Sequence, residues 1–237
     1  MPVPEARPKP IEAPIEKQQA DKPQQVEPKV DQELPPNEEK AEPYIPPPPE
    51  KEDPADLAAC FAELKTLGVA FTEATALDDG NGCGIDRPIT VTSLGGGVSL
   101  TPEGTMRCET ALQFARWTAN VIVPSLRQAR PDETLAAVNQ ASTYVCRKRN
   151  SAETGKISEH ARGNSVDISG LTFKSGTTFS IEPRMQDSTL DGALQRAITA
   201  AACLYFTTVL DPGSDAAHET HLHLDIITRK SGYRLCW

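Results

Sequence analysis

The composition of the chain breaks at about residue 54, and that break confines any packed core to the residues beyond it. Before it lie 15 of the 21 prolines, no glycine, no cysteine and a single aromatic, Tyr44. Charge there is 7 basic against 13 acidic residues, a net of −6, which leaves −3 of the chain's −9 for the remainder. Such a segment buries too little apolar surface to offset the entropy of ordering it. Residues 1–54 therefore read as a disordered Pro/Glu/Lys-rich spacer with stretches of extended polyproline conformation, stiffest over Pro46 to Pro49. Docking to a proline-reading envelope protein is the second use such a segment has.

Residues 55–237 are then one domain of ordinary size. The acidic balance, with no basic stripe, argues against nucleic acid. No apolar run approaches the roughly 18 residues of a membrane span. Met1 is followed at once by Pro2, Pro4 and Glu5, which is not a secretory leader, so the chain is either cytosolic or begins after a removed one. Cysteine usage favours the second. All six cysteines lie beyond the break, widely spaced and with no C-x-x-C pair, a pattern of three disulfides made in an oxidising compartment. Adjacency along the chain suggests Cys60–Cys83, Cys108–Cys146 and Cys203–Cys236.

Apolar periodicity predicts helices over 55–67, 108–127 and 190–205, with Pro124 ending or kinking the second. Short strands are expected at 69–72, 89–91, 143–147 and 222–227, and a hairpin at 166–173 and 177–181 across Lys174-Ser175-Gly176. Residues 78–82 and Gly95-Gly96-Gly97 read as turns, and 148–156 as a polar loop. The mixed order predicts an α+β domain: a small antiparallel sheet flanked by helices.

The chain has four histidines, and all fall in two stretches: His160 in Ser158 to Asp167, and His218, His221 and His223 in His218 to Asp225. Imidazole is a favoured zinc ligand, so this concentration points to a metal site. His160 and Asp167 would stand about 23 Å apart on a straight strand and about 10 Å apart on a helix. One ion therefore needs a bend between them, which Arg162-Gly163-Asn164-Ser165 supplies. His221 and His223, two apart on a strand, leave the same face about 6.5 Å from one another, and Asp225 continues that face. His160, Asp167 and His223 as ligands leave an open fourth position, the mark of a catalytic zinc site, with His221 or His218 beside it as general base. His218-Glu219-Thr220-His221 is one residue short of the helical H-E-x-x-H pattern.

The S-x-H-x-x-G-x-[AS]-x-D stretch from Ser158 to Asp167, followed by His221-Leu222-His223, resembles the zinc peptidase group of lysostaphin-type enzymes, D-Ala-D-Ala peptidases and hedgehog domains. The additional His218 is similar to the penicillin-insensitive murein endopeptidases. Cys83 to Pro88, Val91 to Leu100, Thr105 to Glu109 and Tyr144 to Asn150 resemble the bacterial extensin-like C-terminal domain, over nearly all of 58–237. These resemblances imply zinc on His160, Asp167 and His223, His221 as base or transition-state stabiliser with His218 assisting, and Arg147 stabilising substrate or oxyanion charge, a role Arg149 could equally take. They further imply peptidoglycan peptides as substrate and a periplasmic or envelope location. A non-catalytic wall- or protein-binding module that keeps its zinc is the alternative expectation. Ser165 stands where the group has alanine, and His218 where its dipeptidases have glutamate.

Overall fold

Asp53 opens the first helix, α1 (Pro54–Thr66), by accepting hydrogen bonds from the backbone N–H groups of Ala55 and Asp56 at 2.8 and 3.2 Å. Pro54 at the first helical position loses nothing, since its missing N–H would have had no partner. The computed structural model describes residues 45–236, so the spacer expected for residues 1–44 lies outside the described residues.

After α1 come β1 (Ala70–Glu73), a separate hairpin of β2 (Leu77–Gly80) and β3 (Cys83–Ile85), β4 (Ile89–Gly95) and β5 (Val98–Met106). Next are α2 (Cys108–Trp117), a π-helical turn (Thr118–Ile122), α3 (Val123–Ala129) and β6 (Leu135–Ser142). The remainder is β7 (Ser165–Phe173), β8 (Thr178–Ser180), α4 (Leu190–Ala202), β9 (Thr208–Leu210), β10 (Leu222–Asp225) and β11 (Leu235–Cys236).

The α+β class holds, but the sheet is not small. It has nine strands, in the order β1-β4-β5-β6-β7-β10-β9-β11, with β8 added beside β7. Nor is it purely antiparallel: β5 pairs β6 and β9 pairs β11 in parallel. Strands of three and two residues such as β9 and β11 are too short to show a period. The strand expected at 143–147 lies earlier, at β6, and 143–147 is loop. β6 reads Leu-Ala-Ala-Val-Asn-Gln-Ala-Ser, poor in β-formers, and takes its conformation from β5 and β7 on either side.

Pro124 does not end its helix. The chain widens into the π-turn before it, and Pro124 sits in the first turn of α3, where an N–H is dispensable. Trp117, 1 % exposed, centres the core between Phe114 and Phe206, and its indole N–H donates to the Ile198 carbonyl of α4 at 3.0 Å. Val166, Ile168, Leu222 and Leu224 point from β7 and β10 into this core. Alternation therefore puts Asp167, His223 and Asp225 on the opposite face.

All six cysteines are paired, but only Cys203–Cys236 follows adjacency. The others are Cys60–Cys108, joining α1 to α2, and Cys83–Cys146, joining β3 to the loop after β6. Packing of α1 on α2 and of the hairpin on that loop sets these partners, not distance along the chain.

Residues 45–53, grouped by composition with the spacer, run without regular structure along the domain. Pro46 and Pro49 lie so close to the hairpin that a Cβ on Gly82 or Gly84 would come within 2.7 and 2.8 Å of them.

Candidate metal centre

The stretch between His160 and Asp167 folds as the bend their spacing demands. Ser158 caps a 3-10 turn, Glu159–Arg162, by accepting from the His160 N–H at 3.3 Å. Gly163 closes the turn at φ 67°, ψ 17°, the left-handed region, and the chain enters β7 at Ser165. Ser165 is fully buried, and its hydroxyl has no hydrogen-bond partner among the described residues.

Sheet register supplies the rest. His223 of β10 lies directly opposite Asp167 of β7, and Asp167 in turn lies opposite Ser142 at the end of β6. His160, Asp167 and His223 are 1, 3 and 8 % exposed. Their inward atoms converge: Asp167 Oδ1 is 2.8 Å from His223 Nδ1, Asp167 Oδ2 is 3.1 Å from His160 Nε2, and the two ring nitrogens are 3.2 Å apart. Ligand atoms at zinc–nitrogen and zinc–oxygen distances in a tetrahedron stand about 3.3 Å from each other. These three residues could hold one metal ion.

Their outward atoms favour the same conclusion. His160 Nδ1 lies 2.6 Å from the Thr143 carbonyl, which can only accept, so that nitrogen carries the proton and Nε2 offers a lone pair. His223 Nε2 lies 3.3 Å from Asp225 Oδ2 and donates to it, turning the Nδ1 lone pair inward. Two lone pairs and a carboxylate then face one another in a buried space, an arrangement that needs a positive charge. Without a metal, a proton supplies it. Burial alone would lower the pKa of His223, but its hydrogen bonds with Asp167 and Asp225 outweigh this and raise it to about 9. Burial likewise opposes ionisation of Asp167, yet His160 and His223 hold its carboxyl well below the usual range.

The remaining two histidines gather beside this cluster. His221 Nε2 is 3.7 Å from Asp167 Oδ2, and partial burial lowers its pKa, with Asp167 opposing and His218 assisting, so the ring is neutral at pH 7. An extended chain through 218–223 would turn His218 away and Glu219 inward. Instead residues 211–221 are loop, Glu219 is exposed, and His218 is buried with its ring 5.3 Å from that of His221 and 5.5 Å from that of His223. His218 Nδ1 donates to Asp215 Oδ1 at 2.7 Å.

A cavity of about 130 Å³ lies on the His160 and His223 side of the cluster, lined also by Arg147, Arg149, His218 and Arg229, while Asp167 and His221 are not part of its lining. Arg149 is engaged by Glu159, itself held by Asn164, at 3.2 and 3.0 Å. Among the described residues Arg147 has no acidic partner, which separates the two arginines that the sequence left equivalent. The four histidines and Asp167 are thus brought together, while Arg147 shares the cavity with His160, His218 and His223. Sequence reasoning missed Asp215, Arg229 and the Thr143 carbonyl. Asp215, three before His218, was the only one with a local signal, since a backbone carbonyl is common to every residue.

The model of the extensin-like protein C-terminus family matches residues 58–237, three disulfides and both histidine stretches included. This chain belongs to the extensin-like C-terminal family. No curated protein and no solved structure matches it. The family covers the domain from within α1 onward, and its name concerns sequence likeness, not chemistry.

Proposed function

We propose that this extensin-like domain is a zinc-dependent peptidase that hydrolyses peptide bonds of peptidoglycan in the periplasm or cell envelope. One observation carries the reading: two imidazole lone pairs and a carboxylate converge, oriented from behind by Thr143 and Asp225, beside two further histidines, and the two imidazoles border a cavity that Arg147 lines. Two nitrogens and one oxygen form a donor set suited to zinc, and three protein ligands rather than four are typical of catalytic sites. Zinc held there would supply Lewis acidity toward a carbonyl and a lowered pKa for water.

The chain's own groups take the other roles. Neutral His221 accepts a proton at Nε2 and returns it to the leaving amine. His218, its tautomer set by Asp215, supports His221 from ring distance. Arg147 lines the cavity with no acidic partner among the described residues, and meets the negative charge that develops on a carbonyl oxygen. Three disulfides suit an oxidising compartment, and a proline-rich segment ahead of the domain suits reach across the envelope.

The test is metal analysis of the purified chain together with mass spectrometry of sacculi incubated with it. About one zinc per chain and new muropeptides, both lost in His223→Ala, are expected. Zinc without new muropeptides would make the domain a metal-holding binding module, and absence of zinc would end the reading altogether.

A further inference from the structure

Ahead of α1, residues 46–53 make more directed contacts than a spacer needs. Glu52, its side chain 7 % exposed, accepts from Arg107 Nε at 3.2 Å and from the Arg87 N–H at 3.2 Å. Glu50 accepts from Arg107 Nη1 at 2.9 Å, Lys51 pairs with Asp86 at 2.5 Å, and the Pro47 carbonyl accepts from Arg162 Nη2 at 3.0 Å. Arg107 also reaches the other way. Its Nη1 donates to Asn164 Oδ1 at 3.2 Å and its backbone N–H to the Gly163 carbonyl at 3.0 Å. Gly163 and Asn164 are the residues that turn the chain between His160 and Asp167. One half-buried guanidinium therefore ties the segment before the domain to the bend that sets the metal ligands.

We infer that residues 46–53 are a clamp belonging to the domain, and that Glu52, acting through Arg107, is a positioning residue for the loop joining His160 to Asp167. The inference rests on the metal reading above only for its functional consequence. A guanidinium facing Asn164 without Glu52 has lost its most buried carboxylate partner, and its side chain is free to swing toward Glu50, which is 71 % exposed. The Asn164 carboxamide then loses a donor, and the loop loses the contact that holds its bend from outside.

Full-length Glu52→Gln and Arg107→Lys chains test it, with Lys65→Ala as control, because Lys65 is exposed on α1 and lies outside residues 46–53. The first readout is amide hydrogen exchange of the metal-free protein, in which both variants should show about tenfold faster exchange at Gly163 to Ser165 while core amides stay protected. The second is the zinc dissociation constant and the cobalt(II) absorption spectrum. Both variants should bind about tenfold more weakly, the lower end of what partners behind metal ligands contribute, and give a shifted cobalt band. Lys65→Ala should match the parent in both. Loop exchange and metal affinity within twofold of the parent in Glu52→Gln and Arg107→Lys would overturn the clamp. Should the parent bind no metal, the peptidase reading falls, while the exchange experiment still decides the clamp.

Discussion

Replacing Gly163 with alanine puts one methyl group where the structure has least room for it. An added Cβ would lie 2.4 Å from Ile85 Cδ1, 2.9 Å from Ile85 Cγ1 and 3.1 Å from the Arg107 backbone nitrogen, and Ile85 is 1 % exposed, so it cannot swing away. Holding a non-glycine residue at φ 67° costs about 1 kcal/mol or somewhat more, and overpacking a closed site adds about 1–3 kcal/mol. The expected loss is about 2–4 kcal/mol, or very roughly 5–15 °C in Tm for a domain of this size. Gly96→Ala is the matched control: its φ is 59°, but nothing lies within 4 Å of the new Cβ, so only the conformational part remains. Denaturant unfolding of the metal-free, disulfide-intact proteins measures both. Ile85→Val removes the methyl group nearest the clash, so it should recover part of the loss in the Gly163→Ala background, a favourable coupling of about 1 kcal/mol. If Gly163→Ala proves no more destabilising than Gly96→Ala, or if Ile85→Val brings no recovery, the packing argument for this bend is wrong.

Zinc uptake at pH 7 should displace about one proton per ion, because His223 is raised from its ordinary 6.5 to about 9 in the metal-free fold and metal and proton compete for Nδ1. The stability this proton adds to the metal-free protein is fully present below about pH 6.5 and fades as pH rises through about 9, so zinc affinity should fall as pH is lowered; titration calorimetry in two buffers of different ionisation enthalpy reads the proton count. Asp215→Asn should leave zinc content unchanged but lower peptide cleavage about tenfold or more, since His218 loses the carboxylate that sets its tautomer; equal cleavage rates would remove His218 from the mechanism. Replacing both Cys83 and Cys146 by serine opens a loop of 63 residues and should cost up to about 4 kcal/mol, measured by denaturant unfolding against the intact protein. It should also loosen Arg147, one residue beyond the bridge, so cleavage should suffer more than zinc binding.

Much of the candidate metal cluster was legible because its information is local. His160 and Asp167, seven positions apart with a glycine between them, require a bend if they are to meet, and two histidines two positions apart at the edge of an apolar run mark that segment as part of the site, although His221 itself lies in the loop just before β10. The disulfides were legible as an even set of cysteines but not as pairs. Cys60 meets Cys108 because α1 lies on α2, and Cys83 meets Cys146 because the hairpin covers the loop after β6, and neither contact leaves a mark along the chain. The strand at β6 was missed for the same reason: alanines and polar residues take an extended form there because β5 and β7 hold them. Composition likewise could not show the contacts that Glu52 makes. Proline and glutamate signal weak burial on average, whereas Glu52 is buried by one particular arginine.

The sequence alone therefore determined the residue types that can grip a cation, the turn that lets the first two meet, the helices of the core and the even thiol count, all properties of neighbours within about ten positions. Tertiary structure decided which cysteines pair, how broad the sheet is, that His218 turns inward while Glu219 turns out, and that a backbone carbonyl at Thr143 sets the tautomer of His160. Each of these depends on contacts between segments far apart in the chain, like that of the Trp117 indole with the Ile198 carbonyl, and the spacing of neighbouring residues does not encode such contacts.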